Sequence, residues 1–279
     1  MLSYRHAFHA GSYADVLKHC TLVQILRYLV QKDKPLCYVD THAGAGFYDL
    51  RKVEAEKTAE YTQGIGAIWM KRGLPPALKD YRDCVRAACG LNLVAYPGSP
   101  WFAAHLLRPS DRIALCELHP ADRVQLERTF QSSPNVFVYP EDGWQKSLAL
   151  IPPLERRGLV LIDPSYEIKD EYGQVVEHLQ RLHRKFATGV YAIWYPIADK
   201  SRTDLLLRRL RASGIPKVLR LELGLTRDHS QPGMTGTGML VVNPPWQLAE
   251  TMAPVLSYMA QILGDDAYGE VGEIAGESP

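Results

Sequence analysis

The sequence predicts a doubly wound α/β domain: a mostly parallel seven-stranded sheet with one antiparallel hairpin at its end and a small helical insertion. Three observations predict it. Seven short apolar runs follow one another along the chain, helical stretches separate most of them, and the last connection contains no helix. Strand and helix in turn imply a parallel sheet with helices on its faces.

The first element is a helix over Ser12–Gln31, where Val16, Leu17, Cys20, Val23, Leu26 and Leu29 recur at helical spacing. The strands are Leu36–Asp40, Arg112–Glu117, Val136–Tyr139, Gly158–Asp163, Val190–Tyr195, Lys217–Leu223 and Met239–Asn243. Most are continuous apolar runs, as strands covered on both faces require. Pro120–Phe130, Trp144–Leu150, Glu171–Phe186 and Thr203–Ser213 read as helices between them. Residues 51–96 interrupt the rhythm, with no good strand and two helical patterns, Tyr61–Lys71 and Pro76–Ala88. They read as a helical subdomain inserted into a main domain of residues 1–50 and 97–263. Pro97-Gly98-Ser99-Pro100 reads as a turn with Ser99 as helix N-cap and Pro100 at the first helical position. Between Leu223 and Met239, Gly224, Pro232, Gly233, Gly236 and Gly238 replace a helix, so the final strand returns antiparallel. The Gly-, Asp- and Glu-rich tail, residues 264–279, is predicted to be loosely held.

Composition narrows the function class. A chain of 279 residues with 46% hydrophobic residues is an ordinary globular composition, not a disordered one. No apolar run reaches the ~18 residues that span a membrane, and Met1–His6 lacks the apolar stretch of a signal peptide. A cytoplasmic protein is expected. Five cysteines without a C-x-x-C pair read as reduced thiols. His6, His9 and His19 lack compact ligand spacing, so no metal is expected. A net charge of +1 requires any nucleic-acid enzyme to gather its cations on one face. The N-terminal stretch is the candidate, with Arg5, His6, His9, Lys18, His19 and Arg27, and Tyr4 and Phe8 for stacking.

The candidate chemistry lies at strand ends. Asp40-Thr41-His42-Ala43-Gly44-Ala45-Gly46 follows the first strand, where glycines admit a close ligand. The dinucleotide fingerprint fails, because Asp49 stands where its third glycine belongs. Glu117 ends the second strand and is placed to bind both hydroxyls of a ribose. Glu141-Asp142-Gly143 ends the third and can hold an adenine amino group. The fourth ends in Asp163-Pro164-Ser165-Tyr166. Amino-methyltransferases carry an Asp/Asn/Ser-Pro-Pro-aromatic motif at this place. An exocyclic amine gives its lone pair to the ring and is a poor nucleophile. The Asp163 carboxylate and Pro164 carbonyl are acceptors that can localise that pair, and Tyr166 is expected to stack on the extruded base. Ser165 replaces the second proline. Asn243-Pro244-Pro245-Trp246 fits the motif better by letter but follows the last strand, so it reads as an exit turn.

These blocks resemble the bacterial 23S rRNA adenine-N6 methyltransferase J family. Met1–Gly11, Ala14–His19, Asp40–Gly46, Tyr96–Pro100, Glu117–Pro120, Asp142-Gly143, Asp163–Tyr166 and Gly233–Thr235 carry the resemblance over nearly the whole chain. It implies a Rossmann-like class I fold that uses S-adenosylmethionine. It puts cofactor contacts on His19, His42, Ser99, Glu117, Asp142, Gly143 and Asp163, and catalysis on Asp163, beside the Pro164 and Tyr166 that the motif's chemistry selects. It puts the RNA against Tyr4, in the N-terminal block with Arg5, His6 and Lys18. The implied substrate is one adenine of protein-free 23S rRNA, with no membrane and no obligate protein partner. Three other readings stay open on the residues alone: a DNA adenine or cytosine-N4 methyltransferase, a non-catalytic RNA-binding protein on the same fold, and a nicotinamide oxidoreductase. The last is disfavoured by Asp49 and the terminal hairpin.

Overall fold

A computed structural model describes residues 6–167, 170–228 and 233–274. In chain order the elements are α1 (Tyr13–Leu29), β1 (Cys37–Asp40), β2 (Phe47–Asp49), α2 (Val53–Thr58), α3 (Ile65–Trp69), α4 (Pro76–Cys89), β3 (Ala95–Pro97) and α5 (Ser99–Leu106). Then come β4 (Arg112–Cys116), α6 (Pro120–Phe130), β5 (Val136–Tyr139), α7 (Gly143–Leu150), β6 (Gly158–Ile162), α8 (Glu171–Lys185) and β7 (Val190–Ile197). The chain closes with α9 (Lys200–Ala212), β8 (Val218–Gly224), β9 (Gly236–Val242), α10 (Leu248–Leu263) and β10 (Tyr268–Ile274).

The main sheet runs β10-β8-β9-β7-β6-β1-β4-β5. From β5 to β7 every pairing is parallel. β9 inserts antiparallel between β7 and β8, which is the expected hairpin. Strands β1, β6 and β9 are buried at every position, which is why they read as unbroken apolar runs. β1 lies between β6 and β4, so successive crossovers leave it in opposite directions. That switch point opens a crevice at the carboxyl ends of the strands, where ligands bind in folds of this kind.

Three expectations are corrected. The tail is not loose over Tyr268–Ile274, which pairs antiparallel with β8 along its whole length as an eighth strand. Gly269 makes room for α10, since a Cβ there would lie 2.7 Å from the Leu256 backbone. The insertion is not free of strands at its base, because β2 and β3 pair antiparallel and close its neck. Ser99 is not an N-cap: Gly98 holds that position and the Ser99 side chain is used elsewhere. The insertion's Ile65, Ile68, Leu78 and Tyr81 join the same buried cluster as Val16 and Leu17 of α1, so the two share one core. All five cysteines are free thiols. No helix among the described residues is long and apolar enough to cross a membrane.

Candidate active site

A cavity of about 360 Å³ opens at the carboxyl ends of β1, β4, β5 and β6. Its floor is built by the loop after β1. Asp40 is fully buried, and its Oδ2 accepts from Tyr38 Oη at 2.8 Å and Ser99 Oγ at 2.7 Å. Burial pushes its carboxyl up to about 6, against the pull of those hydrogen bonds. Ser99 therefore ties α5 to the end of β1. Thr41 Oγ1 donates to the Leu161 carbonyl at 3.1 Å and stands 2.8 Å from His42 Nδ1. With the hydroxyl hydrogen so used, Nδ1–H donates and Nε2 is the ring's acceptor. Burial pushes the His42 imidazole down to about 4, so it is neutral at pH 7. Its ring meets the edge of Trp144 at 5.2 Å.

Glu117 follows β4. Oε2 accepts from Gly44 N at 2.7 Å and Oε1 from His119 N at 2.6 Å. Burial raises its carboxyl above the ordinary range. Gly44 has φ +64°, a conformation that favours glycine, and presents its N–H to that carboxylate. Asp142 follows β5 and caps α7 through Trp144 N at 2.8 Å. A Cβ on Gly143 would lie 1.9 Å from the Thr41 carbonyl oxygen, so the start of α7 and the β1 loop touch backbone to backbone. Each Glu117 oxygen accepts one backbone bond, and a carboxylate oxygen has room for a second. Two vicinal ribose hydroxyls fit that remaining capacity, and the adjacent Asp142 suits the attached adenine. The donor set therefore fits an adenosyl cofactor.

Asp163 and Pro164 follow β6 and face this set across the cavity. Asp163 Oδ2 is 2.6 Å from Lys18 Nζ, and Lys18 also lies 3.0 Å from Asp15 Oδ1. Lys18 is 4% exposed. The reading of Lys18 as a phosphate contact is corrected: its ammonium is buried between the carboxylates of Asp15 and Asp163. Asp15 was missed in the sequence. It is buried, accepts from Gly11 N at 2.9 Å, stands 3.0 Å from His6 Nε2, and is held well below the usual carboxylate range by His6 and Lys18 despite its burial. His19 Nδ1 lies 2.7 Å from Tyr96 Oη, itself 2.8 Å from Tyr81 Oη, which fastens α1 to the insertion.

The structure thus brings His6, Lys18, His19, His42, Ser99, Glu117, Asp142, Gly143, Asp163 and Pro164 to one cavity. It does not bring Tyr166. That residue has φ +56°, which turns its ring into the core against Tyr172 and Trp194, and its hydroxyl donates to the Trp194 carbonyl at 2.7 Å. Tyr4 and Arg5 lie outside the described residues. Among the described residues the N-terminal cations do not form a free basic face either: His9 is bonded to Glu60 at 2.9 Å and Arg27 approaches Asp80 at 3.4 Å. Asn243 lies at the other end of the sheet, where its Nδ2 donates to the Ala187 and Gly189 carbonyls at 2.8 Å each.

The chain matches the family model "Ribosomal RNA large subunit methyltransferase D, RlmJ" over residues 33–273. It is 46% identical over 271 residues to the ribosomal RNA large subunit methyltransferase J of Haemophilus influenzae, covering 96% of each chain. It is also 46% identical over 260 residues to the protein of the same name from Escherichia coli, covering 93% of each. A crystal structure from Legionella pneumophila str. Philadelphia 1 superposes with a TM-score of 0.88 at 39% identity, covering 95% of this chain and 98% of that one. With this fold, this cavity and these relatives, the chain belongs to the RlmJ family of ribosomal RNA large subunit methyltransferases and is a methyltransferase whose methyl donor is S-adenosylmethionine.

Proposed function

We propose that the chain methylates the N6 amino group of one adenine in protein-free 23S rRNA, in the cytoplasm. The observation that carries this reading is the pairing across one cavity of Asp163-Pro164 with Glu117 and Asp142. Bound S-adenosylmethionine supplies a methyl group on a positively charged sulfur. The residues here do the rest. Glu117 and Asp142 hold the adenosyl part, with Gly44 and Gly143 giving the backbone its close approach. Lys18 occupies Asp163 Oδ2, so Oδ1 and the Pro164 carbonyl are the two acceptors for the hydrogens of the target amine. Binding both hydrogens pulls the nitrogen lone pair out of conjugation and makes it nucleophilic. The proton lost after transfer leaves through Asp163. Lys18 keeps that carboxylate in place, and Asp15 is the ammonium's second partner. Ser165 leaves these contacts intact, because both acceptors precede it.

The test is transfer of labelled methyl from S-adenosylmethionine to protein-free 23S rRNA, followed by nucleoside analysis. Label in N6-methyladenosine is the expected outcome. Label in DNA but not in RNA would establish the DNA-modifying alternative. Tight cofactor binding with no label in either would mark a fold that binds without turnover.

A further inference from the structure

We infer that the end of the sheet opposite the cavity is a second contact face for the phosphate backbone of the RNA, an inference that rests on the rRNA reading above. The N-terminal ends of β1, β4, β6, β7 and β8 are fed by five connections. Residues 30–36 carry Lys32 and Lys34 against Asp33. Residues 107–112 carry two arginines against Asp111, and residues 151–157 carry two against Glu155. Residues 184–189 and 211–217 carry two cations each and no acid. A chain of net charge +1 thus concentrates a large positive surplus at one end.

The acids of these connections, with the exposed Glu273 opposite Leu219 near the start of β8, are too few to neutralise the rest. Asp111 and Glu155 are engaged with Arg108 and Arg112 at 2.9 Å each, and Asp33 stands 3.7 Å from Arg108. Arg108 and Arg157 both donate to the carbonyl of Lys34, which holds two like charges side by side. Arg156, Arg184 and Lys217 are exposed. Complementing helix C-terminal dipoles accounts for Arg184 and Arg211. It does not account for Arg156 and Lys217, which precede strands. A concavity of about 200 Å³ lies between the ends of α8 and α9, with Arg184 among its lining residues.

The cavity end has the opposite character, with Glu117, Glu141, Asp142, Asp163, Asp170 and Asp199 around it. Glu141, Asp163 and Asp199 there are paired with Lys146, Lys18 and Arg202, so that end offers RNA no surplus of cations and leaves room for a second source of attraction. The 15 residues of α8 connect the two ends and span ~22 Å, a distance that a folded rRNA domain bridges. Phosphate contacts of this kind position RNA without reading sequence.

The test uses the full chain with the combined substitutions Arg156→Gln, Arg184→Gln and Lys217→Gln, none of them near the cavity. Binding to protein-free 23S rRNA is measured across a salt series, and transfer is measured on that RNA and on a short RNA bearing the methylated adenine. Losing three phosphate contacts should flatten the slope of log affinity against log salt by roughly 2 to 3. KM for the full RNA should rise at least about tenfold at unchanged kcat, with the short RNA unaffected. Wild-type affinity and slope in the triple variant would overturn the proposal, as would an equal loss on the short RNA. If the wild-type chain binds rRNA but transfers no methyl to it, the reading of function fails and the salt slopes alone decide the face.

Discussion

Two turns in this molecule look alike by letter and do different work. Asp163-Pro164-Ser165-Tyr166 and Asn243-Pro244-Pro245-Trp246 each end an apolar strand, and each contains a residue of positive φ, Tyr166 at +56° and Asn243 at +51°. β6 runs parallel to β1 and delivers Asp163 to the cavity. β9 runs antiparallel to β7 and delivers Asn243 to the strand starts, where its amide closes the loop before β7. Strand direction, not motif spelling, decides which turn meets the cofactor.

The largest effect that could break this comparison is at Asp163. Asp163→Ala should lower methyl transfer by at least about 10³-fold, as loss of a central electrostatic contact does. Lys18 keeps Asp15, so the fold should persist. Near-normal turnover in the purified variant would overturn the division of roles. Asn243→Ala should leave kcat unchanged and cost about 2 kcal/mol in urea unfolding, from two lost hydrogen bonds and a left-handed backbone. Asn243→Gly should recover part of that. A fall in kcat without loss of stability would show that the exit turn touches the chemistry.

Proton linkage sharpens the contrast. The exit turn carries no titratable group, so the Asn243→Ala cost should be flat with pH. At the other end His42 and His178 are buried with imidazoles pushed down to about 4 by desolvation. Their neutral forms contribute stability that is full above pH 6.5 and is lost as pH falls from 6.5 towards 4. Asp40, raised to about 6, runs the other way, and its burial weighs against the fold as pH rises from 3.8 to 6. Asp40→Asn should therefore unfold at higher urea than wild type at pH 8 and lose most of that advantage at pH 4.5. A constant difference across that range would refute the assignment. Tyr166→Phe should cost about 1 kcal/mol for its buried hydroxyl with KM for RNA within a few-fold. A large KM rise would restore Tyr166 as a stacking residue. Smallest of all, Trp246→Ala should shift stability by no more than about 0.5 kcal/mol, since that ring is 78% exposed.

Much of this was legible in the sequence because it is local. Every strand of the parallel half and the hairpin announce themselves as apolar runs, and Glu117, Asp142 and Asp163 stand at their ends. What stayed hidden depends on distant partners. Tyr268–Ile274 is rich in Gly and Glu and reads as tail; it is a strand because β8 offers a full ladder and α10 covers one face. α10 was missed although Leu248, Met252, Val255, Leu256 and Met259 pack at helical spacing, since Pro254 interrupts it. Lys18 looked like a surface cation because nothing nearby in sequence shows the carboxylate it meets. Asp40 looked like a strand end, and only Ser99 and Tyr38 make it the anchor of the β1 loop.

The bridge from Lys18 to Asp163 joins residues 145 positions apart. During synthesis α1 is made first, yet its buried ammonium cannot find its second carboxylate until β6 has left the ribosome. Until then Asp15, on the same helix, is the ammonium's carboxylate partner, and α1 lacks the ion pair that ties it to the end of β6. The Lys18–Asp163 bridge is therefore a late-closing contact, formed only after β6 is made. A growing chain stopped short of Asp163 should leave α1 more open to protease than one extended past β7.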